Sequence, residues 1–439
     1  MSALPVFCAD RYIGVLESVD LVRQNGKVRQ VIGVVIESLG PNMAIGETCH
    51  ISYKRTAEPV LAEVVGFRDN KVLIMPLGDL KGIGAGSDVV SIGKPLEVGV
   101  TDQLLGRVLD GLGRPIDGKG PIIAERRMEA TAQPPDPLTR KRITEPLALG
   151  IRAVDGLLTC GKGQRVGVFA GSGVGKSTIL GMIARNTAAD VNVIALIGER
   201  GKEVRDFIER DLGEEGLRRS VVIVSTSDQP ALVRIKAAFV ATTIAEYFRD
   251  QGLDVMLMMD SVTRFAMAQR EVGLAIGEPT TTRGYTPSVF ALLPKLLERA
   301  GTSHKGTITG LYSVLVDGDD MNEPVADAVR SILDGHIVLS RRLAAANHYP
   351  AIDVLASVSR VMPDVVDQNH YSAASAARDV LATYREAEDL INIGAYVPGS
   401  NPRVDLAVSK IEALKHFLRQ GIYDTASYEQ TLSQLMGVA

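Results

Sequence analysis

The stretch Val166-Gly-Val-Phe-Ala-Gly-Ser-Gly-Val-Gly-Lys-Ser-Thr178 constrains this chain more than any other. An apolar, strand-like run passes into a glycine-rich loop that opens a helix at Lys176. That order aims the loop's backbone N–H groups and a helix N-terminus at one point, an arrangement that cradles phosphate. Gly171, Ser172, Gly173, Val174 and Gly175 form the cradle. Lys176 is placed to neutralise β/γ oxygens, the Ser177 hydroxyl to ligate Mg²⁺, and Thr178 continues the helix. Ala170 holds the position where the strict pattern has its first glycine, and a methyl group is small enough for that turn. The loop predicts a bound nucleoside triphosphate, ATP being the expected one, and an α/β domain around it.

The surrounding sequence agrees. From Ile143 to Pro363 apolar runs alternate with helical patterns. The strands expected are Arg165–Phe169, Val191–Gly198, Ser220–Ser225, Val255–Asp260, Thr307–Val316 and Ile352–Ser357. The helices expected are Lys176–Arg185, Glu203–Asp211, Pro230–Gln251, Val262–Gly273 and Pro287–Ala300. Such alternation builds a parallel sheet covered on both faces, with ligands at the carboxyl ends of its strands. Residues 1–90 read instead as short strands, among them Gln30–Glu37 and Val72–Pro76, separated by turns such as Gly82-Ile-Gly-Ala-Gly86. They suggest a small β-barrel able to pack beside copies of itself. Gly106–Gly118 is a glycine-punctuated strand and turn, and the cluster Arg140-Lys-Arg142 reads as a solvated loop. After Pro363 the pattern is helical: Tyr371–Ile391 is alanine-rich, and Val408, Ile411, Leu414 and Leu418 recur at helical steps. The expected domains are therefore 1–90, 91–363 and 364–439.

Composition narrows the class. The chain has 439 residues, 46% hydrophobic and 23% charged, with net charge −4. That describes an ordinary globular protein and offers no basic excess for nucleic acid. Cys8, Cys49 and Cys160 lack CxxC spacing and read as reduced thiols. The six histidines show no metal-ligand spacing. The N-terminus lacks a basic segment followed by an apolar core, and no run of about eighteen apolar residues exists, so a cytoplasmic protein is expected.

Hydrolysis needs more than a phosphate cradle. Val255-Met-Leu-Met-Met-Asp260 ends an apolar strand in an acid suited to hold Mg²⁺; Ser261 follows it, so the water-positioning carboxylate must come from elsewhere. Asn192-Val-Ile-Ala-Leu-Ile-Gly198 ends in Glu199-Arg200, which puts Glu199 across the γ-phosphate, where it can polarise water. Positive charge for the transition state could come from Arg200, Arg264 or Arg360. Arg360 follows the last expected core strand and could reach a neighbour's nucleotide. An EF-hand reading of Asp317–Pro324 fails, because Met321 and Asn322 stand where an acid or Asn and then Gly are required.

Six segments occur in this order: Gly171–Thr178, Gly198-Glu-Arg200, Asp260-Ser-Val-Thr-Arg-Phe265, Asp317-Gly-Asp-Asp-Met-Asn-Glu-Pro324, Ile332-Leu-Asp-Gly-His-Ile-Val-Leu-Ser340 and Tyr349-Pro-Ala-Ile-Asp353. Together they resemble the rotary ATPase catalytic subunits over about the whole chain. The resemblance is closer still to the flagellum-specific and type III secretion export ATPases. It implies a RecA-like P-loop core between a β-barrel and a small helical domain. It also implies Lys176 and Ser177 on phosphate and Mg²⁺, Glu199 as catalytic carboxylate, and Asp260 as the metal-holding acid. Arg360 would act in trans in a homohexamer. Tyr349 would stack on adenine, and Tyr396 would close the other side of the base. The Asp317–Pro324 loop would face the ring centre and meet a coiled-coil stalk. The further partners implied are a stator-like regulator at the N-terminal region, a membrane export gate, and export substrates with their chaperones; the protein would lie peripherally on the inner face of the cell membrane. Ser227–Arg234 and Asp389–Tyr396 look more flagellar than virulence-type.

Other readings start from the same residues. A catalytic subunit of a proton-translocating rotary ATPase would need a different partner subunit and an acidic stalk-contacting segment, which the C-terminal sequence lacks. A non-catalytic nucleotide-binding subunit would lack Glu199. A ring-shaped RNA translocase would carry a module of stacked aromatics.

Overall fold

The computed structural model describes residues 25–52, 58–316, 318 and 320–439. Cys8 and the first residues of the expected barrel lie outside this set, as do Asp317 and Asp319 of the loop assigned to the ring centre. The chain divides into two compact units, 1–96 and 97–439.

The first unit is a closed barrel of six strands, β1 (Asn25–Ile32), β2 (Val35–Leu39), β3 (Glu47–Ser52), β4 (Val60–Arg68), β5 (Lys71–Pro76) and β6 (Asp88–Pro95), in the order β1-β2-β5-β4-β3-β6. Closure leaves no unpaired edge. Val28, Ile36, Cys49, Ile51, Val64, Ile74 and Val89 fill it. The run Gln30–Glu37 is not one strand, as expected, but the turn of the β1–β2 hairpin, in which Ile32 pairs with Val35. Gly33 breaks the apolar run, and a positive φ there reverses the chain.

In the second unit β7 (Glu97–Val100) pairs with β9 (Arg126–Glu129), and β10 (Pro146–Leu147) with β11 (Cys160–Gly161). The main sheet contains β8 (Arg107–Asp110), β12 (Arg165–Ala170), β13 (Val191–Ile197), β14 (Ser220–Ser225), β15 (Asp254–Asp260), β17 (Thr307–Leu315), β18 (Gly335–Leu339) and β19 (Val358–Ser359). Its order is β19-β18-β12-β17-β15-β13-β14-β8, with the short β16 (Gly301–Thr302) joined to β17. From β18 to β8 neighbours run parallel. Every residue of β13 and β14 is buried, as a parallel sheet covered on both faces requires. The glycine-punctuated segment after Gly106 thus supplies an edge strand of this sheet.

Four expectations change. Ile352–Ser357 is not a strand: only Ile352 bridges to Leu339. The Asp353 carboxylate then accepts the N–H groups of Leu355 and Ala356, turning the chain, and the edge position belongs to β19. Glu203–Asp211 is not a simple α-helix: Gly201–Asp206 passes into a π-helical turn, Phe207–Leu212, before a further helix, Gly213–Arg218. Arg140 is not solvated, since its guanidinium donates to the carbonyls of Ala300, at 2.8 Å, and Glu298. Val408 is 41% exposed; Val404, Ala407, Ile411, Leu414 and Phe417 form the buried stripe of its helix.

The C-terminal region is three helices, Gln368–Asn392, Pro402–Leu418 and Tyr428–Val438. They dock on the short helix Arg152–Leu157 through its side chains and backbone: Arg152 Nε donates to the Phe417 carbonyl at 2.9 Å, and His370 Nε2 meets the Gly156 carbonyl at 2.8 Å. Among the described residues no helix is long and apolar enough to cross a membrane. Cys49 and Cys160 are buried free thiols.

Candidate active site

The carboxyl ends of β12, β13, β15 and β17 meet at one place, and the charged residues of the chain's chemistry gather there. β12 ends at Ala170, buried and in ordinary strand register with Leu315 and Leu339. No positive φ is required at Ala170, which explains why alanine serves where the strict motif has glycine. The loop then turns through Gly173 and Gly175, both with positive φ. Gly175, at φ 95°, caps the helix Lys176–Asn186 and has no side chain to occupy the helix's first N–H groups. Those donors, with the positive end of the helix dipole, are left to an anion.

Lys176 reaches across β17, which lies between β12 and β15, and its ammonium bonds Asp260 Oδ1. Glu199 Oε1 stands 3.8 Å from the same ammonium. Asp260 is 4% exposed and also accepts a 2.6 Å hydrogen bond from the hydroxyl of Ser313 on β17. Burial pushes the Glu199 carboxyl up to about 7; the Asp260 charge and Glu203 add to the shift, and Lys176 opposes it. A carboxyl poised near neutrality beside a phosphate cradle is the property expected of a proton acceptor.

Gly198 aims Glu199. It adopts φ 70°, and a Cβ there would lie 2.9 Å from the Cβ of Arg264, so only glycine fits between the strand and this arginine. The Arg264 Nε is buried with no hydrogen-bond partner. Arg200 is exposed at the start of the helix Gly201–Asp206. The ring of Tyr349 lies against Gly175, 3.8 Å from where a Cβ would stand, and is 43% exposed. Its carbonyl accepts the Gln420 N–H at 2.9 Å, so residues near 420 flank it. Tyr396 has local contacts instead: its hydroxyl meets the Asn401 carbonyl at 3.0 Å and Asp405 at 2.9 Å.

Arg360 sits at the other end of the sheet. It follows β19, whose Ser359 pairs with Gly335, and Gly335 pairs with Val166 near the start of β12. Its N–H donates to the Asp334 carbonyl at 3.0 Å, and its guanidinium, exposed, touches the Leu333 carbonyl at 3.3 Å. Val166 to Ala170 is four steps of strand, roughly 13 Å along β12. Arg360 therefore does not join the cluster at its own P-loop.

The ATP synthase alpha/beta family matches this chain with its nucleotide-binding domain over residues 150–359 and its β-barrel domain over 28–93. The T3SS EscN ATPase C-terminal domain matches 366–437. The flagellum-specific ATP synthase of Bacillus subtilis is 54% identical over 430 residues, 96% of this chain and 97% of that protein. The type 3 secretion system ATPase of Xanthomonas euvesicatoria is 52% identical over 416 residues, 95% and 94% of the two. The chain belongs to the export ATPases of flagella and type III secretion systems. The assembled ATPase EscN from the type III secretion system of enteropathogenic E. coli superposes with a TM-score of 0.89 at 49% identity, over 94% of this chain and 99% of that one. EscN in complex with its central stalk EscO gives 0.87 at 48% identity, over 94% and 99%. The export ATPase resemblance read from the ordered motifs is thus the right one, and the chain is an ATP-hydrolysing enzyme of the export family.

Sequence reading missed Ser313 and Gln420. Ser313 is one serine in an apolar strand, and only the parallel register puts it beside Asp260.

Proposed function

We propose that this ATPase is the motor of a flagellar export apparatus, working as a homohexameric ring on the cytoplasmic face of the membrane. ATP binds in the loop Gly171–Gly175, with Lys176, Ser177 and Thr178 at the helix start and Tyr349 stacked on adenine. Glu199 orients and deprotonates the attacking water, and Arg200 lines the site's lip. The donor set suits Mg²⁺: the Ser177 hydroxyl and the Asp260 carboxylate are hard oxygens. No cluster of three or more acidic, His or Cys ligands exists among the described residues, which fits an ion that takes most of its ligands from phosphate and water. Bound there, Mg²⁺ would neutralise developing charge on the phosphates. Asp260 and Ser177 hold position, while Lys176 moves its charge from Asp260 to the nucleotide.

The observation that carries the reading is the separation of Arg360 from its own P-loop. A cluster with three acidic or cationic groups at one end of the sheet, and an exposed arginine at the opposite end of its edge, is what a ring needs for Arg360 to complete a neighbour's site. EscN is an assembled ATPase and forms a complex with its central stalk, which favours a ring with a stalk here; a hexamer turning against a coiled-coil stalk is the form proposed. By the same resemblance the export gate, the substrates with their chaperones, and a stator-like regulator are the remaining partners. ATP hydrolysis by the purified chain, measured across protein concentration, tests this. Activity per molecule should rise as the ring forms. Activity independent of concentration in a chain that stays monomeric would overturn it.

A further inference from the structure

Ser313 lies on β17, the strand between β12 and β15. The register pairs Val168 with Ser313 on one side and Met259 with Tyr312 on the other. This places Ser313 next to Asp260, and its side chain is fully buried. Its hydroxyl donates to Asp260 Oδ1 at 2.6 Å. Lys176 bonds that same oxygen. Two donors therefore converge on one carboxylate oxygen, one charged and long, the other neutral and rooted in the sheet.

We propose that Ser313 is a positioning residue that fixes the Asp260 carboxylate for Mg²⁺ when Lys176 leaves it for the nucleotide. The inference rests on the reading of Asp260 as the metal-holding acid. A buried carboxylate that loses a donor becomes costly and free to change rotamer. Lysine has a flexible four-carbon stem and must reach phosphate, so it cannot hold Asp260 in both states. Serine can. Its hydroxyl is a donor without charge, so it steadies Oδ1 without competing electrostatically with a cation, and it leaves Oδ2 open. The strand position is completely enclosed, so water cannot take the place of the hydroxyl. The task is orientation: Ser313 itself touches neither phosphate nor the attacking water.

The test uses the full chain with Ser313→Ala and Ser313→Cys, the second keeping the shape of the side chain at a slightly larger size while offering only a weak donor. Two readouts are taken: the Mg²⁺ concentration giving half-maximal ATP hydrolysis, and the affinity for a fluorescent ATP analogue with Mg²⁺ and in EDTA. A hydrogen bond to a charged group predicts about a tenfold rise in the Mg²⁺ requirement for both variants. Affinity in EDTA should stay within about twofold, because Lys176 and the loop are intact. An unchanged Mg²⁺ requirement overturns the proposal. So does an equal loss of affinity with and without Mg²⁺, which would mean a general structural role, and so does loss of cooperative unfolding in both variants. Asp260→Asn separates the premises. If it keeps the wild-type Mg²⁺ dependence, the reading of Asp260 fails; if it is impaired while the Ser313 variants are normal, only the present inference fails.

Discussion

The two ends of the central sheet differ in what they hold. At the carboxyl end Lys176 joins Asp260 and Glu199, Ser313 bonds Asp260, and the cluster is largely buried, with the Glu199 carboxyl raised first by that burial. At the opposite end, just past the edge strand β19, Arg360 is exposed and bonds the main-chain carbonyls of Asp334 and Leu333. A buried cluster of this kind can bind and prepare a nucleotide but places no free arginine over it from Arg360. On the proposed reading the difference separates binding, which one chain would perform, from turnover, which would need a neighbour.

Variants sharpen that division, beginning with the largest effect. Arg360→Ala should reduce kcat by about a thousandfold, as expected on removing an arginine finger, while the affinity for a fluorescent ATP analogue is retained. A matching loss of affinity would move Arg360 to the binding end. Glu199→Gln should lower kcat by about a hundredfold or more, again with binding intact; turnover at the wild-type rate would remove Glu199 from its role. The pH profile follows from the same residue. Its carboxyl is raised from 4.5 to about 7 by burial first, so the protonated, unreactive form persists to higher pH than in solution. The kcat/KM should therefore fall about tenfold per unit below pH 7 and level off above it. A flat profile down to pH 5.5 would break this link. In stability the sign is reversed. Ionising the buried group costs energy, so wild-type stability relative to Glu199→Gln should decline as pH rises from 4.5 through 7, by up to about 3 kcal/mol in thermal or urea unfolding. The smallest effect is at Tyr349. Its replacement by Ala should raise the KM for ATP about tenfold with kcat nearly unchanged, as for loss of one stacking contact.

The carboxyl end was largely legible in the sequence because it is built from strand ends. An apolar run that terminates in Lys176's loop, in Glu199 or in Asp260 marks its own residue as facing the site. What was not legible depends on register or on turns. Ser313 gains its meaning only from the strand beside it. Ile352–Ser357 has a strand's composition, but the Asp353 side chain captures two backbone N–H groups and bends it. Between Gln30 and Glu37 the run is apolar except for Gly33, and that residue decides it is a hairpin. The Tyr396 ring satisfies its hydroxyl within its own helical hairpin, at Asn401 and Asp405, and the segment that flanks Tyr349 is the one at Gln420. The remote placement of Arg360 was legible only as a possibility, because its distance from the loop depends on β19 pairing antiparallel to β18.

The most direct measurement mixes two inactive proteins. Glu199→Gln keeps Arg360, and Arg360→Ala keeps the site. If each site is completed by the neighbour's arginine, mixed rings contain intact junctions, and ATP hydrolysis should appear on mixing although neither protein hydrolyses alone. If the mixture, shown by sedimentation to form shared rings, stays as inactive as its components, Arg360 acts within its own chain or not at all, and the account of a site divided between copies is wrong.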